Sequence, residues 1–233
     1  MNNFYAVAVD GPSGAGKSTL SRRCAAAFGF IYVDTGAIYR SIGLAAFRKG
    51  IDRENEAEVM EMLPQIEVKM AYDESGEQKM FLNGEDVSKE IRLPEISACA
   101  SQVSAHPKVR EYLLEMQRKM ARENNVIMDG RDIGTVVLPD AELKIFLTAS
   151  AEARARRRML ELQQKGLNVK FEQVLEDIEQ RDKKDTERAA APLKAAEDSV
   201  LVDTSELDFE QSFDRLCEVI SKKLNIKKTE DRK

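Results

Sequence analysis

Short apolar runs alternate with segments of helical period along most of this chain, and that alternation predicts an architecture before any motif is read. Phe4–Val9 is an apolar run rich in β-formers, ended by Asp10-Gly11, and reads as a buried strand. Helical spacing follows from about Lys17 to Phe28, then a second short strand at Phe30–Val33. Ala37–Lys49 and Asn55–Leu63 are again helical and stop at Gly50 and Pro64. Further helices are expected at Pro94–Ser104, Pro107–Glu123, Ala151–Lys165, Phe171–Asp182 and Asp208–Leu224; the last sets Phe209, Phe213, Leu216 and Ile220 on one face. Val126–Asp129 and Leu143–Thr148 are near-continuous apolar runs, as suits parallel strands covered on both faces, and Val200–Asp203 is the last strand.

One stretch breaks this rhythm. Ile66, Val68 and Met70 alternate with polar residues, and so do Met80 and Leu82 after a turn at Asp73-Glu74-Ser75-Gly76. Asn83-Gly84 is a strong tight-turn signal. Ile66–Val87 is therefore expected to be a small antiparallel patch inserted into an α/β fold with a doubly wound, mostly parallel five-stranded sheet. The expected division of the single domain is a core of 1–63, 105–150 and 192–224, an insertion at about 64–104, a helical region at about 151–191 and a charged tail at 225–233.

The 233 residues are enough for one sizeable core. A net charge of -5 gives no general attraction to nucleic acid or an anionic membrane, so any basic site must be local. Cys24, Cys99 and Cys217 are far apart, show no ligand spacing, and are expected to be buried thiols in a reducing compartment. No segment reaches the roughly 18 apolar residues of a membrane span, and MNNFYAVAVDG lacks the basic start and cleavage site of a signal peptide. A cytoplasmic protein is expected.

Chemistry enters at Gly11-Pro12-Ser13-Gly14-Ala15-Gly16-Lys17-Ser18, with Thr19 next, which fits G-x-x-x-x-G-K-[ST] between a strand and a helix. Backbone N–H groups must approach phosphate oxygens closely, which Gly14 and Gly16 permit by lacking Cβ. The helix start adds free donors and a positive dipole end. In that role Lys17 reaches the β- and γ-phosphates of ATP, and Ser18 ligates Mg²⁺.

Other clusters could serve an acceptor. Asp34-Thr35-Gly36-Ala37-Ile38-Tyr39-Arg40 begins where the second strand ends; Thr35 can cap the helix that carries Tyr39 and Arg40. Asp129-Gly130-Arg131-Asp132-Ile133-Gly134-Thr135 follows another strand. Arg154, Arg157 and Arg158 share a helix face at about 100° per residue, with Arg181, Asp182, Asp185 and Arg188 farther on. Phosphoryl transfer needs such charge neutralisation and water exclusion more than a covalent nucleophile. The single histidine, His106, reads as a helix-entry residue before Pro107.

Together VDGPSGAGKS, DTGAIYR, FLNGEDVS, ASQVSAHPKVR, DGRDIGTVV, KIFLTAS, RRRMLELQQKG and RDKKDTERAAAPL make the chain resemble the bacterial cytidylate kinases nearly end to end. The resemblance implies a P-loop NTPase fold in which the insertion is the NMP-binding lobe and 151–191 the lid. It implies a monomeric ATP:CMP phosphotransferase, using Mg²⁺ and also accepting dCMP. Carried over by position, cytosine contacts fall on Ser101, Arg110 and Asp132. Monophosphate contacts fall on Arg40, Arg131 and Arg188 with Thr35 and Tyr39, sugar contacts on Arg181 and Asp185, and lid arginines on Arg154–Arg158.

The chemistry of cytosine agrees. Asp132 could accept from the exocyclic N4 amine, and Arg110 could donate to N3 or O2, a pattern that uracil inverts. The expected catalytic set is Lys17, Arg131 and Arg188 with the lid arginines Arg157 and Arg158. Two other readings stay open at this point: a P-loop kinase with a different small acceptor, and a non-catalytic nucleotide-binding switch.

Overall fold

The computed structural model describes residues 4–74, 76–164 and 166–229. Ser75 of the expected turn, Lys165 at an expected helix end, and the terminal stretches 1–3 and 230–233 of the leader and tail readings lie outside the described residues.

Five strands form one sheet: β1 (Ala6–Asp10), β2 (Ile31–Asp34), β6 (Val126–Asp129), β7 (Leu143–Thr148) and β8 (Val200–Asp203). They lie in the order β2-β6-β1-β7-β8. β1 is central and parallel to both neighbours, so Val7 faces Ile127 on one side and Leu143 on the other. Every residue of β1 and β6 is buried, which explains why both read as apolar runs. Crossovers out of β1 and β2 are α1 (Lys17–Phe28) and α2 (Thr35–Arg48), and α8 (Phe209–Leu224) closes the chain. Between β2 and β6 run α3 (Glu56–Met62), β3 (Val68–Tyr72), β4 (Gln78–Leu82), β5 (Glu85–Asp86), α4 (Pro94–Val103) and α5 (Pro107–Glu123). After β7 come α6 (Ala151–Gln164) and α7 (Phe171–Glu187).

The described residues form two compact units, one of 4–32 with 123–229 and one of 33–122. In the first, Leu20, Cys24 and Phe28 of α1 and Leu216, Cys217 and Ile220 of α8 meet strand residues Val7, Ile127 and Ile145 in one core. Asp208 starts α8 with a capping box: its carboxylate takes the Gln211 N–H, while the Gln211 side chain takes the Asp208 N–H. A smaller apolar cluster of Ala155, Val174 and Ile178 holds α6 to α7.

In the second unit, Ile38, Ile42, Val59, Met62, Met80, Leu82, Ile96 and Leu113 make a separate core. The antiparallel patch is as expected. β3 pairs β4 from Val68↔Leu82 to Tyr72↔Gln78, and Asn83 and Gly84 turn the chain into β5 with φ of 52° and 85°. The expected insertion of 64–104 lies inside this unit.

Four local readings change. α2 begins at Thr35 rather than Ala37, because its cap is Asp34, not Thr35: the Asp34 Oδ1 accepts from Ala37 N at 3.0 Å. A carboxylate one residue earlier leaves Thr35 as the first helical residue. α7 runs on to Glu187, past the expected end at Asp182, its charged last turn held by ion pairing of Asp185 rather than by apolar contact. β1 begins at Ala6 rather than Phe4. Ile133–Val137 forms a single π turn that no hydrophobic period announced.

Leu216 is fully buried between α8 and the sheet. Leu216→Ala is expected to cost about 2–5 kcal/mol of stability, read as a lowered urea midpoint with an unchanged m-value.

Candidate active site

The chain leaves β1 through a turn whose glycines Gly14 and Gly16 sit at φ of 77° and 86°, the left-handed region that side chains disfavour. Gly16 is also the N-cap of α1 and brings no side chain to it. The first N–H groups of α1 therefore stay available for an anion, with the positive end of the helix dipole behind them. Lys17 is buried, and its Nζ donates to Pro12 O at 2.7 Å. Burial, and next the Arg131 guanidinium, hold its pKa well below the usual lysine range against the pull of Asp129, Asp10 and Asp185.

Ser18 Oγ donates to Asp129 Oδ2 at 2.8 Å, while Tyr32 donates to Asp129 Oδ1 at 3.0 Å and fixes the carboxylate. A hydroxyl and a carboxylate are hard oxygen donors, which suits Mg²⁺. Among the described residues no group of three or more His, Cys, Asp or Glu could hold a metal. A pair of protein oxygens with substrate phosphates is the usual Mg²⁺ arrangement. Asp129 opens one of the expected acceptor clusters but was not expected beside Ser18, although an aspartate closing a buried strand in a P-loop protein is a readable sign of this role.

Asp10, at the end of β1, was not expected in the site either. Its carboxylate accepts from Ile133 N at 2.8 Å and Gly134 N at 2.7 Å, tying the loop that carries Arg131 and Asp132 to the strand that leads into the P-loop. Burial pushes its pKa up to about 6, despite the two backbone donors and Lys17, with Asp132 adding to the rise. No sequence period marks this link, because it joins residues more than a hundred positions apart.

Arg131 Nε lies 2.8 Å from Asp185 Oδ2, and Arg188 Nη2 lies 3.4 Å from Asp132 Oδ1. Arg188 Nε also donates to Ala191 O at 2.7 Å. Burial raises the Asp185 pKa, but Arg131, then Arg181 and Arg188, outweigh it and leave the carboxyl below the usual range. Four of the expected acceptor residues thus meet as two ion pairs, and Arg181 stands near Asp185.

The three arginines expected on one face of α6 part company. Arg154 is buried: Nε donates to Ala149 O at 2.8 Å, and Nη1 reaches Ser13 O at 3.0 Å and Asp182 Oδ2 at 2.7 Å. It braces the crest of the P-loop and ties it to α7. Arg157 turns to Thr204 and Leu207, donating to their carbonyls. Arg158 pairs with Glu161 one turn away at 2.8 Å. Spacing placed the three arginines near one another on α6 but gave neither their partners nor their depth, since burial under the P-loop comes from packing of the whole helix.

In the second unit, Arg40 Nη2 pairs with Asp34 Oδ2 at 2.7 Å. Thr35 and Tyr39 are buried on α2, and the Arg110 guanidinium lies 5.4 Å from the Tyr39 ring centre. Arg110 also donates to Ser104 O at 3.2 Å. Ser101 is exposed on α4, two residues before its end. His106 enters α5 as expected and contacts Arg53 O at 2.8 Å.

The cytidylate kinase family model matches residues 7–222. A cytidylate kinase from Caldanaerobacter subterraneus is 50% identical over 95% of this chain and 97% of its own length. One from Caldicellulosiruptor bescii is 47% identical over 93% and 95%, and one from Syntrophotalea carbinolica 45% identical over 97% and 96%. Among solved structures, an uncharacterized protein from Eubacterium ventriosum superposes with a TM-score of 0.52 at 12% identity, covering 93% of this chain and 98% of that one, which shows a shared fold.

Asp10 provides a test of this geometry. Its carboxyl titrates near 6 in the folded chain against 3.8 for an ordinary aspartate, so the folded state holds the proton more tightly. The stability from this group is full below the unfolded value and is lost as pH rises through about 6. Asp10→Asn lacks that loss. From pH 5 to pH 7, its stability relative to the parent chain should improve by about 1 kcal/mol in urea titrations.

Proposed function

This chain belongs to the cytidylate kinase family, and from that premise we propose how its residues carry out the family reaction, transfer of the γ-phosphoryl group of ATP to CMP. The observation that carries the reading is the P-loop held in register with Ser18, Asp129 and Lys17 within a family match that spans nearly the whole chain.

Residues Gly11 through Thr19 receive the ATP phosphates, Gly14, Ala15 and Gly16 through backbone N–H groups and Lys17 through its ammonium. A bound polyphosphate would favour the charged form of Lys17, offsetting the burial that disfavours it. Ser18 and Asp129 would hold Mg²⁺, which when bound neutralises charge on the β- and γ-oxygens. On the acceptor, Arg40, Arg131 and Arg188 bind the phosphate with Thr35 and Tyr39. Ser101, Arg110 and Asp132 read cytosine, and Arg181 and Asp185 hold the sugar. Acceptance of dCMP, action as a monomer in the cytoplasm and a place in pyrimidine nucleotide metabolism belong to the same reading.

The transfer itself is in line. An oxygen of the CMP phosphate attacks the γ-phosphorus as the bond to the ADP oxygen breaks, and the leaving oxygen keeps the electron pair. No general base is needed, because the attacking phosphate is a dianion above its second pKa of about 6. Arg131 and Arg188 bridge the charge of donor and acceptor, and Arg157 and Arg158 of the lid shield it from water. Loss of one arginine that contacts only the transition state is expected to lower kcat by about 10³–10⁵.

ADP release from Mg-ATP, followed with CMP, dCMP, UMP, AMP and GMP in turn, tests the acceptor. CMP and dCMP should far exceed the rest; strong turnover of UMP would break the cytosine roles of Asp132 and Arg110 and leave the kinase intact. Lys17→Ala should lower turnover far more than CMP affinity. Asp185→Ala should weaken binding of both CMP and dCMP in equilibrium titration, and unchanged affinity for both would remove it from the sugar site.

A further inference from the structure

Every guanidinium assigned to the acceptor phosphate is tied to a carboxylate, and one of these ties is built into the fold more completely than the others. We propose that Asp34 and Gln78 are positioning residues that hold Arg40 in the orientation in which it meets the acceptor phosphate. This inference rests on the reading of Arg40 as a phosphate ligand.

The Asp34 carboxylate is buried and divided between two partners. Oδ1 caps α2 through Ala37 N at 3.0 Å, and Oδ2 takes Arg40 Nη2 at 2.7 Å. The cap fixes the carboxylate relative to the helix that carries Arg40, so the ion pair closes a ring within the first two turns of α2 rather than joining two free side chains.

Asp34 is itself clamped from β4. The buried Gln78 accepts the Asp34 N–H at Oε1 over 2.8 Å, and its Nε2 reaches back to Asp34 O at 3.4 Å. One primary amide thus engages the backbone of Asp34 on both sides, where an apolar strand residue would serve packing better.

Space is reserved for the pair as well. A Cβ at Gly36 would lie 3.0 Å from Arg40 Nη1 and 3.1 Å from Asp34 Oδ1, closer than side chains normally approach. Finally, Arg40 Nε is buried and has no hydrogen-bond partner among the described residues. A buried donor that the protein leaves unanswered is a place for an incoming acceptor atom, and a phosphate oxygen supplies one.

Charge alone predicts the opposite effect of removing Asp34. A carboxylate beside a phosphate site repels the ligand, so Asp34→Asn, which keeps a capping oxygen and loses the charge, should tighten CMP binding if Asp34 acted only through its field. If Asp34 acts by orienting Arg40, the same change weakens binding.

Steady-state kinetics of the full chain with Arg40→Ala, Asp34→Asn and the double variant decide this, with Gln78→Met as a second variant should Asp34→Asn fold poorly. We expect Asp34→Asn to raise KM for CMP about tenfold, Gln78→Met to raise it less, and KM for ATP to stay within about twofold for both. In the Arg40→Ala background Asp34→Asn should then add nothing. If Arg40→Ala raises KM for CMP but Asp34→Asn leaves it unchanged or lowers it, or if the two effects add, the inference fails and the Arg40 reading stands. If Arg40→Ala leaves KM for CMP unchanged, the Arg40 reading itself falls, and the inference with it.

Discussion

A polyphosphate is best held by backbone amides that need no side-chain reach, and amides can converge on one point only where the chain takes a left-handed path. That constraint governs the segment between β1 and α1, where Gly14 and Gly16 adopt positive φ and α1 begins without a side-chain cap. The rest of the first unit is arranged to keep the path in place. Arg154 of α6 takes the Ser13 carbonyl at its crest, Lys17 takes that of Pro12, and Ser18 is fixed by Asp129 on the strand beside β1. Asp10 ties in the loop after β6. Because β1 is central and wholly buried, none of these ends can drift without opening the core.

A second theme is how an acidic chain presents a local positive site. Four arginines near the expected chemistry are matched with carboxylates: Arg40 with Asp34, Arg131 with Asp185, Arg154 with Asp182 and Arg188 with Asp132. A partly buried carboxylate beside each guanidinium offsets its charge and fixes the plane of the fork. The exposed pairs of Arg158 with Glu161 and Arg215 with Glu218 have the same geometry in solvent, where such pairs contribute about 0–1 kcal/mol. Burial, not the presence of a pair, is what makes the first four instruments of orientation.

Much of this was legible beforehand. The strands, the Asn83-Gly84 hairpin and α8 follow from short-range periodicity and turn chemistry, and each appears close to where the pattern puts it, with ends shifted by a residue or two. The P-loop is contiguous, so its residues need no folding information to be recognised. The misses have one character. Thr35 looked like a cap until the neighbouring Asp34 took that role, and α7 outran its apolar pattern because Asp185 found Arg131. Asp10 escaped the expected site because its partner Gly134 lies 124 positions away, and Asp129, although named in a candidate cluster, was not linked to Ser18, 111 positions away.

The sequence by itself determined the order of strands and helices, the antiparallel insertion, the phosphate cradle and the family, since all of these are written in residues that neighbour one another along the chain. Only the tertiary structure decided which guanidinium pairs with which carboxylate, that Arg154 lies buried beneath the P-loop while Arg158 faces solvent, and that Gln78 clamps Asp34 from a strand 44 residues on. The physical reason is range. Propensity, period and capping act within a few residues, whereas hydrogen bonds and ion pairs form wherever packing brings their partners within about 3 Å.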